Sequence, residues 1–382
     1  MKKIIYIITG LNVGGAEFVL LRLLMKINKK EYDPLVITLR EKGIMGERIE
    51  RLGINIYNLQ IDSIVNLIPG LIRLFRIMRK FKPQIVHTFL IQSALIGGIV
   101  AKLFKKVTII WNIFSNDLSL QSNKFRNVLI FKLCSHLSKI IPNKIIIDSK
   151  AAYLEQKGLG YKCEKMEIIH NGVDINIFSP NKLKRNEYRQ QYFEENEIVI
   201  GLIARFHPVK GHDTFIKAIS LLKRKINNVK FLLNGSVVEI NRGGGGIIYY
   251  NKLMKMIDEE GIKNVIHISD SKLKITDILF ACDILVSSSN FESFPNIICE
   301  AMASGIPCVV TNVGDCSRIV GDTGVIVSAN DPNALANALM RLIKMPSKDR
   351  KKLGNSARLR IGNNFSLSMM VEKYNNIYDS CI

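Results

Sequence analysis

Two carboxylates stand eight residues apart in Asn290-Phe291-Glu292-Ser293-Phe294-Pro295-Asn296-Ile297-Ile298-Cys299-Glu300-Ala301-Met302. Phe294-Pro295-Asn296 reads as a loop and helix start, so Glu292 precedes the helix and Glu300 lies just over one turn inside it. Acids so placed can hydrogen-bond different hydroxyl groups of one elongated ligand, while the helix N-terminus faces an anion. The plainer alternative is an N-terminal acid favoured by the helix dipole plus one surface glutamate. Against it, Glu300 sits among Cys299, Ala301 and Met302, a mostly apolar setting that suggests burial. Upstream, Ala204-Arg205-Phe206-His207-Pro208-Val209-Lys210-Gly211 sets two cations five apart in a Pro/Gly loop. Arg205 can chelate phosphate oxygens bidentately and Lys210 adds a point charge; two solvated surface cations are the ordinary alternative. Near the start, Gly10-Leu11-Asn12-Val13-Gly14-Gly15-Ala16-Glu17 follows an apolar run. Its glycines serve a tight turn or let the backbone approach a phosphate, and the spacing is neither G-x-G-x-x-G nor the P-loop pattern.

These loops need rigid elements behind them. Lys2–Thr9, Pro34–Leu39, Ile54–Leu59, Gln84–Phe89, Val107–Ile113 and Lys144–Asp148 read as strands. Helical periods lie over Ala16–Ile27, Ile64–Phe81, Leu90–Phe104 and Phe125–Ile140. Near-continuous apolar strands alternating with amphipathic helices predict an α/β fold with a parallel sheet covered on both faces. The pattern restarts with strands at Ile198–Ala204, Lys230–Leu233, Val265–Ile268, Ile284–Ser288 and Cys308–Thr311, and with intervening helices at His212–Lys223, Tyr249–Glu260, Ile275–Ala281, Ile297–Ala303 and Ala334–Ile343. Asn171–Asn196, polar and carrying Pro180, reads as the linker. The expected architecture is two Rossmann-like doubly wound domains facing across a cleft. They span residues 1–175 and 176–365, and a helix in 366–382 packs back toward the first. Open parallel sheets bind ligands at the carboxyl ends of their strands, which is where all three segments fall.

The chain has 382 residues, 47% hydrophobic and 23% charged, enough for two cores and unlike a disordered or disulfide-stapled chain. Its seven cysteines form no C-x-x-C pair, which points to reduced, mostly buried thiols and no zinc site. No Asp-x-Asp pair lies near a strand end. The net charge of +21 calls for an anionic partner. Residues 1–180 hold 27 Lys+Arg against 13 Asp+Glu, the remainder 27 against 20. Between Ser63 and Asn116 there are eight basic residues and no acid, which places that partner on the first half. No secretory signal is visible. Pro83–Ala101 nears the length of a membrane span, but Gln84, His87, Gln92 and Ser93 interrupt it.

Taken together the segments resemble the family 4 glycosyltransferases of the GT-B fold. The family's Gly-rich first loop, G-R-x-x-x-x-K-G segment and E-x7-E motif stand here as Gly14-Gly15, Ala204-Arg205…Lys210-Gly211 and Glu292…Glu300. Asn171-Gly172-Val173-Asp174 and Ala301-Met302-Ala303-Ser304-Gly305-Ile306-Pro307 are also similar to family segments. The likeness covers nearly the whole chain. It implies a retaining, metal-independent transfer of a hexose or N-acetylhexosamine from a nucleotide-diphosphate sugar, with UDP the expected nucleotide. By the same resemblance Arg205 and Lys210 hold the donor diphosphate, Glu300 the ribose hydroxyls and Glu292 the donor sugar. N–H groups around Phe294, Pro295 and Asn296 touch sugar or phosphate, and Gly14 and Gly15 let the first domain approach. Two departures stand out. Ala204 replaces the usual Gly, and the family's cleft histidine is missing from Trp111-Asn112-Ile113-Phe114-Ser115-Asn116-Asp117. Asn112, Ser115, Asn116 and Asp117 are candidates for that place. His87 is another catalytic candidate, against the plainer role of a satisfied core histidine; His207 either contacts phosphate or faces water.

The resemblance also suggests a lipid-linked saccharide acceptor in bacterial O-antigen, capsule or other surface-polysaccharide (lipopolysaccharide) assembly. Arg73, Arg76, Arg79, Lys80 and Lys82, interleaved with apolar residues, suit an anionic membrane surface. The expected location is therefore cytoplasmic, peripheral to the inner face of the plasma membrane. Two rival classes remain at this level. One is a GT-B-fold nucleotide-sugar epimerase; the other is a basic membrane- or nucleic-acid-binding protein without catalysis. No nucleic-acid-binding motif is present and aromatics are not interleaved with the basic run, so no nucleic-acid partner is expected.

Overall fold

A computed structural model describes residues 1–12, 14–114, 124–223, 225–237, 245–269 and 273–381. The chain divides into two compact units, Met1–Gly172 with Leu367–Ile382, and Val173–Ser366. The first runs β1 (Lys2–Ile8), α1 (Gly15–Lys26), β2 (Tyr32–Thr38), α2 (Gly43–Glu50), β3 (Ile56–Asn58), α3 (Leu67–Phe81), β4 (Ile85–Phe89), α4 (Ile91–Lys102), β5 (Thr108–Ile113), α5 (Lys124–Ser138), β6 (Lys144–Ile147), α6 (Lys150–Gly158) and β7 (Met166–Ile168). The second runs α7 (Lys182–Tyr192), β8 (Ile198–Ile203), α8 (His212–Leu222), β9 (Val229–Asn234), α9 (Gly245–Glu259), β10 (Ile266–Ile268), α10 (Ile275–Ala281), β11 (Ile284–Ser287), α11 (Asn296–Ala303), β12 (Cys308–Thr311), α12 (Cys316–Val320), β13 (Val325–Val327), α13 (Pro332–Lys344) and α14 (Ser347–Asn364). The last helix, α15 (Leu367–Ser380), belongs to the first unit.

Both sheets are parallel throughout, in the orders β3-β2-β1-β4-β5-β6-β7 and β10-β9-β8-β11-β12-β13. The strand sequences account for this. Ile4 through Ile8 of β1 are all fully buried; Ile4, Tyr6 and Ile8 enter one core while Ile5 and Ile7 enter the other. A strand apolar on both faces needs helices on both sides, which only crossover connections supply. The strand order reverses between β1 and β4 in one unit and between β8 and β11 in the other. Those are the switch points at which doubly wound sheets take ligands.

Several elements differ from the sequence expectation. Asn171–Asn196 is not a bare linker but contains α7, whose buried members are Tyr188 and Arg189. Arg185 and Arg189 reach Asp283 at 2.7 and 3.0 Å and also bond the carbonyls of Ala281 and Cys282. The helix is thus moored by charge rather than by an apolar stripe. α14 was not anticipated either. It buries Arg350, Gly354, Ala357 and Ile361, a helical spacing with too few apolar members to read. A Cβ at Gly354 would lie 1.9 Å from the Gly305 carbonyl oxygen, so glycine lets α14 press against the end of α11. Pro83–Ala101 resolves into β4 and most of α4, and among the described residues no helix is long and apolar enough to cross a membrane. α15 buries Leu367, Met370, Val371, Tyr374, Ile377 and Tyr378 in the core shared with Ile4, Tyr6 and Ile8.

Candidate active site

In the second unit, the chain leaving β8 continues beside the chain leaving β9. Ala204 N–H donates to Asn234 O at 2.9 Å and Phe206 N–H to Ser236 O at 3.0 Å. A Cβ at Gly235 would sit 1.9 Å from the Ala204 oxygen, so this close approach requires glycine. Phe206 is buried against the rings of His212 and Tyr250, at 5.1 and 4.9 Å. Arg205, next to it, is exposed. His207 caps a short 3-10 turn, Pro208–Lys210, by accepting from Val209 N–H at 3.2 Å. It is therefore part of the loop's own scaffold.

The loop after β11 is stitched to this turn. Asn290 N–H donates to Val209 O at 2.7 Å, and Ser288 Oγ donates to the carbonyls of Lys210 and Gly211 at 3.2 and 2.9 Å. The result is an ion pair at the switch point: Lys210 Nζ lies 2.5 Å from Glu292 Oε1, and Ser289 Oγ donates to that same oxygen at 2.7 Å. Both partners are largely buried, their side chains 20% and 11% accessible. The last residue of β12 and the loop after it brace the pair. Thr311 Oγ1 donates to Ser289 O at 2.6 Å, and Asp315 N–H donates to Ser293 O at 3.0 Å.

α11 then begins at Asn296 with Pro295 as its flanking residue and no side-chain cap. Phe294 is buried and packs on Phe365 at 5.7 Å. Glu300, the fifth helical residue, is 6% exposed, in line with the burial its neighbours implied. Arg205, Lys210, Glu292 and the start of α11 are thus gathered at the carboxyl end of β8 and β11. The serines at 288 and 289 and Thr311, which hold the loops, escaped the sequence reading; hydroxyls bonded to remote carbonyls leave no local pattern.

In the first unit the Gly10 loop leaves β1 at the other switch point. Leu11 is buried, its N–H donating to Glu41 O at 3.4 Å, and Met45 N–H donates back to Leu11 O at 2.9 Å. A Cβ at Gly15 would meet nothing within 4 Å, so packing does not require glycine there, and the backbone is open to a ligand. Burial raises the carboxyl pKa of Glu17, in the first turn of α1.

His87 does not fit a catalytic role. It is fully buried, its Nδ1 paired with the Tyr378 hydroxyl at 2.8 Å and its ring packed on Phe89 and Tyr374 at 4.5 and 5.7 Å. Burial alone lowers its pKa to about 3. A neutral histidine sealed under α15 can neither touch substrate nor exchange protons with it. Asn112 is likewise buried and donates to the Tyr374 hydroxyl at 2.7 Å. Ser115, Asn116 and Asp117 lie outside the described residues.

The sequence pattern described as Glycosyltransferase Family 4 matches residues 13–177, and that described as Glycosyl transferases group 1 matches residues 184–360. The chain belongs to the family 4 glycosyltransferases. Similar relatives are bacterial. One is the UDP-Gal:alpha-D-GlcNAc-diphosphoundecaprenol alpha-1,3-galactosyltransferase of Escherichia coli, 25% identical over 83% of this chain and 80% of that one. Another is the capsular polysaccharide biosynthesis glycosyltransferase CapM of Staphylococcus aureus, 25% identical over 81% of this chain and 80% of that one. HepE of Anabaena, solved in complex with UDP, superposes with a TM-score of 0.87 at 20% identity over the full length of both chains. The fold is GT-B, and this glycosyltransferase has the two parallel-sheet α/β domains of that class.

Proposed function

We propose that this glycosyltransferase moves a hexose or N-acetylhexosamine from a UDP-sugar to a lipid-linked saccharide during bacterial surface-polysaccharide assembly, with retention at the anomeric carbon and without a metal. The carrying observation is the contact of Lys210 with Glu292 at the switch point. A cation suited to a diphosphate and a carboxylate suited to sugar hydroxyls stand within one bond of each other. HepE, solved with UDP-glucose, supports the donor class. The name of the Escherichia coli relative, with its diphosphoundecaprenol acceptor, supports the lipid-linked acceptor.

In this reading Arg205 and Lys210 take the diphosphate, Glu300 the ribose hydroxyls and Glu292 a hydroxyl of the donor sugar, while N–H groups at Phe294-Pro295-Asn296 bond sugar or phosphate. As the anomeric C–O bond breaks, its electron pair moves onto the diphosphate. Fixed cations and the start of α11 stabilise that charge more in the transition state than in the ground state. The acceptor oxygen bonds to the anomeric carbon on the same face, and its proton passes to the departing phosphate oxygen. Arg205 and Lys210 supply the positive charge that a divalent ion supplies elsewhere. The acceptor falls to the first unit, and the enzyme works at the inner face of the plasma membrane.

The test is incubation with a panel of nucleotide sugars and a diphosphate-lipid-linked saccharide, followed by NMR of the new linkage with and without EDTA. Transfer with unchanged anomeric configuration, insensitive to EDTA, is expected. An inverted product would overturn retention, and loss of rate in EDTA would overturn metal independence. An epimerised sugar with no extended acceptor would make the protein an epimerase.

A further inference from the structure

α3, α4 and α5 form one layer over the first sheet, with α4 in contact with both others. Its inner side enters the core through Leu74, Met78 and Ala94. Its outer side is unusual for a surface in water. Ile64 and Val65, in the turn entering α3, are 85% and 79% exposed, and Ile68 is 67% exposed. Ile72 follows one turn later on the same stripe, and that stripe then becomes basic with Arg76 and Lys80, all three exposed. Leu103 after α4 and Leu129 on α5 add further exposed aliphatic surface to the layer. No acid occurs between Ser63 and Asn116, whereas a merely solvated face mixes both signs.

The order along the stripe matters. A crossover helix runs antiparallel to the strands it joins, so the start of α3 lies at the carboxyl end of the sheet. That is the end from which the Gly10–Gly15 loop leaves. The aliphatic tip is therefore on the ligand-binding side of this unit, and the cations lie farther back along the helix. Apolar side chains that enter the acyl boundary, with cations at headgroup level behind them, are the arrangement of an interfacial membrane anchor.

We propose that the start of α3, through Ile64, Val65, Ile68 and Ile72, inserts into the interface of a bilayer containing anionic lipid, with Arg76, Arg79 and Lys80 on the headgroups. This deepens the lipid-linked acceptor reading, on which it rests for its purpose, by naming the surface that meets the membrane and its mode of contact. The exposed residues are aliphatic, offering no stacking platform for bases, so a bilayer fits them better than a nucleic acid.

The test is co-sedimentation of the full chain with vesicles of phosphatidylcholine alone and of phosphatidylcholine mixed with phosphatidylglycerol, at low and high salt. Insertion predicts binding to the mixed vesicles that is weakened by salt but not abolished. The double variant Ile64→Asp/Ile68→Asp should lose at least about tenfold in partitioning. UDP binding by the same variant, followed by calorimetry, stays at the wild-type level. Since Trp111 is the only tryptophan and is fully buried, Ile68→Trp supplies a reporter whose emission should shift to the blue on binding. Unchanged partitioning of the double variant, complete release by salt, or preferential capture by single-stranded RNA would each overturn the proposal. Failure of sugar transfer alongside normal vesicle insertion would instead remove the functional reading.

Discussion

Lys210 and Glu292 neutralise one another at 2.5 Å across the switch point of the second sheet, and Ser289 fixes the shared carboxylate oxygen. The pair closes two loops that the backbone has already brought together, so it costs little side-chain entropy to hold. If Lys210 takes the donor diphosphate, as proposed above, that ligand competes with Glu292 for it and frees the carboxylate for the sugar. On that assignment the two side chains exchange a bond with each other for bonds to the two halves of one ligand.

That exchange gives predictions of opposite sign. Lys210→Ala should lower kcat/KM by about a hundredfold or more, the size of effect found when one donor to a developing charge is removed. Glu292→Gln should lower transfer as well, yet it should tighten free UDP by about fivefold, roughly 1 kcal/mol, because Lys210 no longer has a competing carboxylate. Calorimetry with UDP, set beside initial rates with the UDP-sugar, checks both. Weaker UDP binding in Glu292→Gln would show that the pair orders the loop more than it competes with the ligand.

Glu300 lies in a different place, the second turn of α11, where it is 6% exposed. If it holds the ribose hydroxyls, Glu300→Gln removes a charge-assisted hydrogen bond of about 1.5–3 kcal/mol. UDP affinity should then fall by about ten- to a hundredfold, while inorganic diphosphate, which carries no ribose, binds as before. Equal losses for the two ligands would move Glu300 from the ribose to the phosphates.

Gly314 shapes the site through its backbone. Its φ is +53°, and a Cβ there would lie 2.1 Å from the Glu292 carbonyl oxygen. Gly314→Ala should therefore displace the 289–293 segment. We expect a loss of about 1–3 kcal/mol in stability from overpacking and a larger loss in activity. Urea unfolding and rate measurements on this variant separate the two effects.

What the sequence revealed, and what it hid, follows from how far each signal reaches along the chain. Strands such as Lys2–Ile8 were legible because burial on both faces demands an unbroken apolar run. The placement of Arg205, Lys210 and Glu292 at one end of the second sheet was legible because their loops directly follow apolar strands. α7 was hidden because its anchor is Asp283, nearly a hundred residues away. α14 was hidden because a glycine makes its closest contact. His87 was ambiguous for the same reason: its partner Tyr378 lies 291 residues downstream on α15. Only the fold decides that this histidine is a core residue.

Two buried histidines contribute to the pH response of the fold. Burial lowers the pKa of His87 to about 3 and that of His212, between Phe206 and Tyr249, to about 4. In the unfolded chain both titrate near pH 6.5. Between the folded and unfolded values the unfolded state binds more protons, so stability falls as pH drops below about 6.5 and continues to fall toward pH 4. From pH 7 to pH 5 each histidine should account for about 2 kcal/mol of lost stability. Urea midpoints across this range check the slope. His87→Gln keeps a neutral, polar side chain beside Tyr378, and it should remove this histidine's own share of the loss while retaining sugar transfer at pH 7. An unchanged slope would mean that the acid response originates elsewhere, and loss of transfer with a stable fold would return His87 to the chemistry.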